Sequence, residues 1–373
     1  MRSPVRLLPP VALVLLASCS ATPQGDHAGQ SQDAVVVNTD TPRAKAQYDA
    51  DAAFARAYTP RCAATTGRPR VIVTGFGRFQ WILDNVTGRI VSHLVPGAAY
   101  PETTPAKDGE IDPPGPQTSV AVGTITLPNT GDVDVCAMIL PVHWDLAAIL
   151  IVKEIQSFDP QFVMMDGVAS EKQPLWLELG SVNRAMTELD GSEILRPLEP
   201  AGEEFAPIIE SAAPEDTLKG LLLSYDAVER AAKATILSHA DHVVEGRRFD
   251  AVLQGVKLTG FPRNGNTYLC NNVSYVTNYL MANPGHAVAL LSASTGEKED
   301  KEGVRVAIDR DVTKVPRVFV HWPSTLTGAH VDDATDVMRT VIDAQLVALG
   351  TDADAPIVGT NSMAEVVASG PTF

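Results

Sequence analysis

Positive charge is what this chain has least of. Its 373 residues carry 29 Lys and Arg against 45 Asp and Glu, a formal net charge of −16. A surface with that balance excludes nucleic acid and anionic lipid head groups as direct partners, because both demand clustered cations. Long apolar runs are missing too. The one run of note, Leu7 to Leu16, is too short to span a bilayer as a stable helix. Cysteine is sparse, at four: Cys19, Cys62, Cys136 and Cys270. No internal repeat is found. What is present is ordinary for a globular protein: 45% hydrophobic and 20% charged residues, in a chain long enough for one large domain with a full core or two small ones.

The first 19 residues read as a targeting segment. Arg2 and Arg6 precede the apolar run, and Leu16-Ala17-Ser18-Cys19 then resembles a bacterial lipobox. That resemblance implies a lipoprotein signal peptide, with Cys19 acylated as the first residue of the mature chain. The protein would be anchored to a membrane through Cys19 without spanning it. Ser20 after the cysteine suits the outer membrane, so the expected location is the bacterial cell envelope, on its periplasmic side or surface. In an oxidising compartment Cys62 and Cys136 are candidates for a disulfide, provided Cys270 is a free thiol. The alternative is two unpaired small hydrophobes.

Residues 20–67 are rich in Ser, Thr, Gln, Asp, Ala and Gly and read as a disordered or partly helical linker. From Pro69 short apolar strands recur: Val71–Val73, Val133–Leu140, Phe162–Met165, Ala251–Leu253, Ala287–Leu291 and Val318–Val320. Helical spacing appears between them, over Asp145–Gln156, Tyr225–Ser238, Asn272–Leu280 and Asp332–Ala348. This alternation predicts an α/β protein, a three-layer α/β/α sandwich around a mostly parallel sheet, in one domain over residues 68–350. Two long loops or insertions interrupt it, near 95–117 and 184–219, and residues 351–373 form a tail.

Cys270 is the residue that invites chemistry. It sits between a glycine-containing turn and a helical stretch, where the helix dipole favours thiolate over thiol. A cysteine nucleophile needs a base, and His321 ends the apolar strand Val318-Phe319-Val320 just before Trp322-Pro323, at the kind of strand end that lines ligand crevices. Glu178 lies inside Leu175-Trp176-Leu177-Glu178-Leu179; a carboxylate in an apolar run either faces solvent or is buried with a partner such as an imidazole. His143, at another strand end, is a candidate neighbour of the site. His239 and His242 have a separation that suggests metal but offer no third ligand in sequence, and read as solvated.

Four segments, in order, resemble the pyrrolidone carboxyl peptidases (pyroglutamyl peptidase I, the C15 cysteine peptidases). Val71-Ile72-Val73-Thr74-Gly75-Phe76-Gly77-Arg78-Phe79 with Asn85 matches the family's opening strand and T-G-F-x-x-F. Glu178 with Asn183 is similar to its glutamate segment. Gly265-Asn266-Thr267-Tyr268-Leu269-Cys270-Asn271 resembles its nucleophile motif, and Phe319-Val320-His321-Trp322-Pro323 its histidine motif. The resemblance covers residues 70–348 without the insertions.

It implies a Cys270–His321–Glu178 catalytic triad, with Phe76 and Phe79 sandwiching the lactam of an N-terminal pyroglutamate and Asn85 near the same pocket. No metal or organic cofactor is implied. The partner implied is a peptide with a blocked N-terminus, and the chain is a candidate homo-oligomer. Departures fall on the pocket: Arg78 replaces a proline, Glu171-Lys172 a Gly-Arg pair, Leu179 an arginine, and Glu188 falls near the position of another arginine. Two other readings stay open at this point, a binding or scaffold module on the same fold and a cysteine amidase for another envelope amide.

Overall fold

A computed structural model describes residues 42–64, 67–79, 82, 84–101, 117–169, 174–178, 180–186, 188–189, 195–196, 205–209, 212, 222–253, 258–259, 268–291 and 303–351. Cys19 and the rest of the proposed signal peptide lie outside these residues, as do 20–41 and all of the tail beyond residue 351.

At the centre is a seven-stranded sheet of order β12-β5-β15-β4-β1-β3-β2. Its heart is four parallel strands, β1 (Arg70–Phe76), β3 (Gly131–Leu140), β4 (Phe162–Val168) and β15 (Arg317–Trp322). β2 (Ser119–Leu127) closes one side antiparallel to β3; β5 (Leu175–Glu178) runs antiparallel to β15, and β12 (Leu258–Thr259) pairs parallel to β5. The central strands are apolar almost throughout because both faces are covered, as parallel sheets require. Helices α3 (Leu146–Phe158) and α6 (Leu269–Ala282) pack with Ile72, Phe76, Met165 and Phe319 on one face. On the other, α2 (Val86–Leu94), α4 (Tyr225–Ser238), α5 (Phe249–Val252) and α7 (Val331–Thr351) pack with Val71, Val73, Val318 and Trp322. The molecule is the three-layer α/β/α sandwich with a mostly parallel sheet that the alternation of periods predicts.

The expected linker is, over its second half, part of the folded body. Residues Pro42–Ala57 form α1, whose Tyr48, Ala52 and Ala55 repeat at helical spacing and are buried against α3. Its polar composition hides this because the buried polar groups have partners: Gln47 Nε2 donates to Asp51 Oδ1 at 3.2 Å, and Asp51 Oδ1 lies 3.1 Å from His143 Nδ1. The chain after α1 is held by Glu154 of α3, a fully buried carboxylate that accepts from Tyr58 Oη, from Arg61 N at 2.8 Å and from Cys62 N at 2.9 Å. Cys62 and Cys136 are joined as a disulfide, Cα–Cα 5.7 Å, across 74 residues. Closing a loop of that length in the unfolded chain is worth about 4 kcal/mol.

Three further expectations are corrected. Ala251–Leu253 does not form a strand; it overlaps α5, where Phe249 and Val252 bury the i and i+3 positions of a helical turn. A short apolar run does not by itself distinguish the two. The strand expected over Ala287–Leu291 is β13 (Val288–Leu290), which leaves the main sheet to pair antiparallel with β14 (Val304–Val306). The insertion near 184–219 contains two-residue ribbons, β6 (Ala185–Met186) with β9 (Phe205–Ala206) and β7 (Glu188–Leu189) with β8 (Leu195–Arg196). Among the described residues no helix is long and apolar enough to cross a membrane.

Candidate active site

The sheet register sets out the site residue by residue. β5 opposes β15 so that Glu178 faces Phe319 and Trp176 faces His321, which puts Glu178 one diagonal step from His321 on the same face. On the other side of β15, His321 pairs with Gly167 of β4. A Cβ at Gly167 would lie 2.8 Å from Cys270 Sγ and 2.8 Å from the Phe319 ring, so the cysteine sulfur rests directly on that glycine. Across one face of the sheet the order is therefore Glu178, His321, then Cys270 above Gly167. Adjacent strands are only about 4.8 Å apart. Any side chain at 167 would occupy the place of the sulfur.

All three groups are buried: Cys270 and His321 at 0% exposure and Glu178 at 1%. His321 Nδ1 is 2.7 Å from Glu178 Oε1. That is an ion-pair separation, yet the angle between the two groups does not complete an aligned hydrogen bond. Catalytic contacts of this kind commonly tighten only when substrate is bound. His321 Nε2 has no hydrogen-bond partner among the described residues. Phe319, 4.7 Å from the imidazole between ring centroids, supports the ring from below.

Cys270 itself differs from the free thiol expected of it. It is disulfide-bonded. Nucleophilic chemistry at this sulfur belongs to the reduced form.

The start of α6 is held from three sides. Asn271 donates from Nδ2 to Val182 O and Arg184 O, and its Oδ1 accepts from Val182 N, tying the helix to the segment that follows Glu178. Asn272 Nδ2 donates to Asp145 Oδ1 at 3.0 Å, and Asp145 Oδ2 accepts from Leu291 N. Further along the same helix stripe, Asn278 Nδ2 donates to Ser274 Oγ and Ser181 Oγ, while its Oδ1 accepts from Arg317 Nε at 2.9 Å. Burial lowers the Arg317 guanidinium to about 10. Cys270 and His321 thus ride on two elements, α6 and β15, that are cross-linked by a polar ladder. The first backbone bond of α6 runs from Asn272 N to Tyr268 O, and the helix has no side-chain cap. The N–H groups of residues 269–271 are consequently left without intrahelical acceptors, beside the sulfur.

A pocket of about 350 Å³ of atom-free space including its mouth lies between Phe76, Phe79, Asn85, Val168, Tyr268 and Leu269, with Ile82 and Val142 completing it. Val168 follows the glycine under the sulfur and Leu269 precedes the cysteine, so two of its lining residues are chain neighbours of the site. Phe79 and Trp144 both pack on Tyr268, with ring centroids 6.2 and 5.0 Å away. Asn85 brings an amide to this lining, beside the Tyr268 phenol. Its Oδ1 caps α2 by accepting from Thr87 N and Thr87 Oγ1, which leaves the amide nitrogen as the group it can offer a ligand. The structure thus brings Phe76, Phe79 and Asn85 together in one pocket, lined also by the residue before Cys270.

Other expectations fare differently. His143 pairs with Asp51 of α1, a contact that docks that helix. Asn183 builds the loop beyond Glu178, accepting from Ile208 N and Ile209 N. Gly265, Asn266 and Thr267 of the nucleophile motif, Glu171, Lys172 and Leu179 lie outside the described residues. Sequence reasoning passes over Gly167 and Tyr268, the one because a glycine in a strand reports only on its neighbours. Asp166, beside Gly167, is no rival to Glu178. It points to the opposite face, where burial raises its carboxyl well above the usual range although the Trp322 Nε1–H bond opposes this.

No protein-family model matches the chain, and no curated protein matches it. Among solved structures it is similar to the pyrrolidone carboxyl peptidase from Thermococcus litoralis, at 16% identity and TM-score 0.46, over 76% of this chain and 96% of that one. It is also similar to Bacillus amyloliquefaciens pyroglutamyl peptidase I, at 13% identity and TM-score 0.45, over 75% of this chain and 98% of the other. A mutant pyrrolidone carboxyl peptidase from Pyrococcus furiosus gives 16% and 0.44, over 75% and 99%. What the site can do is decided by its own residues.

Proposed function

We propose that the reduced chain is a cysteine peptidase that removes an N-terminal pyroglutamyl, or closely related acyl, residue from peptides. The observation that carries this is the line of Glu178, His321 and Cys270 on one sheet face, with an apolar pocket lined by Phe76, Phe79 and the residue before Cys270. The Cys270 thiolate attacks the acyl carbonyl carbon, and the N–H groups at the start of α6 receive the developing oxyanion. As the C–N bond breaks, His321 gives its Nε2 proton to the departing amine, leaving a thioester on Sγ. Water then attacks the thioester, His321 takes the proton, and the free lactam acid leaves. Glu178 orients the imidazole and stabilises its cation. A flat, uncharged lactam suits a largely apolar pocket that carries the Asn85 amide.

Glu178 at 1% exposure, turned toward His321, supports a hydrolase over a scaffold, which has no use for a buried carboxylate beside an imidazole whose Nε2 has no hydrogen-bond partner among the described residues. Acylation at Cys19, the envelope address and a blocked peptide as partner belong to the same proposal. The purified chain, under mild reductant, is expected to release fluorophore from a pyroglutamyl-amide reporter and little from the corresponding alanyl amide. No release above that of Cys270→Ala would remove the proposal.

A further inference from the structure

On the opposite face of the sheet, two segments far apart in sequence bring imidazoles to one carboxylate. α4 ends at His239, and the chain turns through His242, whose N–H donates to His239 O, into the ribbon of β10 (Val243–Val244) and β11 (Arg247–Arg248). A short 3₁₀ turn (Gly328–His330) leads into α7, whose first turn carries Asp333. His330 Nδ1 lies 2.7 Å from Asp333 Oδ2, His242 Nδ1 2.8 and 2.9 Å from its two oxygens, and His239 Nδ1 3.4 Å from Oδ1.

Both nitrogens of His330 are engaged: Nδ1 with Asp333, and Nε2 3.0 Å from the carbonyl oxygen of Arg247, which only accepts. His330 and Asp333 are 1% and 3% exposed, so the carboxylate on which His242 also converges is shielded from water. The outer contacts are those of ligating imidazoles, each ring holding its second nitrogen against an acceptor: His330 Nε2 against Arg247 O, and His239 Nε2 3.4 Å from Asp336 Oδ2. The ligand atoms of His242, His330 and Asp333 all lie within 4.8 Å of one another.

We propose that His239, His242, His330 and Asp333 form a binding site for a borderline divalent cation, with Zn²⁺ the best match to three nitrogens and one oxygen. Metal–ligand bonds of about 2.0–2.2 Å in a tetrahedron need donors somewhat farther apart than the closest pairs here, so His330 and Asp333, 2.7 Å apart, must part along with His242. The bound ion joins the end of α4 and the β10–β11 ribbon to the start of α7. It works as a clamp, away from Cys270, so it stands or falls separately from the peptidase reading.

The test uses the full chain carrying Cys270→Ala, so that the reactive sulfur is not a ligand, stripped with chelator and titrated with Zn²⁺ by calorimetry and with Co²⁺ by visible absorption. One ion per chain is expected, with tetrahedral Co²⁺ bands and no thiolate charge-transfer band. The further pair of changes His239→Ala and His242→Ala, which spares the buried His330 and Asp333, should weaken binding by about a hundredfold or more and abolish the zinc-dependent rise in Tm. Absence of stoichiometric binding, or binding that this pair of changes leaves intact, overturns the proposal.

Discussion

A histidine Nδ1 stands 2.7 Å from a buried carboxylate oxygen in two regions of this molecule, on opposite faces of one sheet. The regions differ in what the far ring nitrogen meets. In His321–Glu178 the Nε2 has no partner among the described residues, and the neighbouring strand position is a glycine with a sulfur resting on it. In His330–Asp333 the Nε2 is tied to the Arg247 carbonyl, and two more histidines crowd the carboxylate. A ring tied at its far nitrogen cannot pass a proton without breaking that bond; an untied ring beside a thiol can. The pairs are also built differently. His321 and Glu178 sit on separate strands locked by sheet register, whereas His330 and Asp333 are three residues apart at the start of one helix. The His–carboxylate unit is common to both regions, and the third group decides its use.

The comparison is broken most easily at the imidazoles. His321→Gln is expected to lower kcat/KM on a pyroglutamyl amide by about a thousandfold, the range of general acid–base catalysis, while His330→Gln registers in Tm. Losses of turnover that are equal in the two variants would erase the distinction. Next, Glu178→Gln should lower kcat by about a hundredfold with KM nearly unchanged, because the carboxylate orients the ring and does not touch substrate; a rise in KM alone argues for a pocket role instead.

Gly167→Ala probes the surface under the sulfur. The added methyl meets Cys270 Sγ and the Phe319 ring at 2.8 Å, so a stability loss of about 1–3 kcal/mol is expected by chemical denaturation, with slower alkylation of reduced Cys270. Wild-type values of both would mean that the sulfur does not lie over β4.

The smallest effect belongs to the other cluster. Burial alone would raise the Asp333 carboxyl, but hydrogen bonds from His330 and His242 outweigh it and hold the group below its ordinary value. A depressed folded pKa stabilises above the unfolded carboxyl's pKa, near 4, and that stability is lost as pH falls through the folded value. Asp333→Asn should therefore cost about 1–2 kcal/mol at pH 7, measured by urea unfolding, and the gap from wild type should close in acid. A gap independent of pH would assign the loss to packing.

Much of the central sheet was legible because β1, β3, β4 and β15 are short apolar runs between helical periods, and α4 spans the very residues its spacing marks, Tyr225–Ser238. Cys270, His321 and Glu178 were legible as residue types in telling settings: a helix start, a strand end, a charge inside an apolar run. What escaped depends on partners that sequence does not display. α1 was legible as helix within a linker but not as part of the folded body, because Asp51 and Gln47 are polar and only His143 and α3 explain their burial. Gly167 carries no signal until Cys270 is seen above it. His239 and His242 lacked a third ligand because His330 and Asp333 arrive from another helix, about ninety residues on.

The most direct measurement is capture of the acyl intermediate. Reduced chain mixed with a pyroglutamyl peptide, quenched in acid during turnover and mapped by mass spectrometry, is predicted to carry the pyroglutamyl group as a thioester on Cys270 and nowhere else. An adduct on another residue, or steady peptide cleavage that persists in Cys270→Ala, would contradict the account.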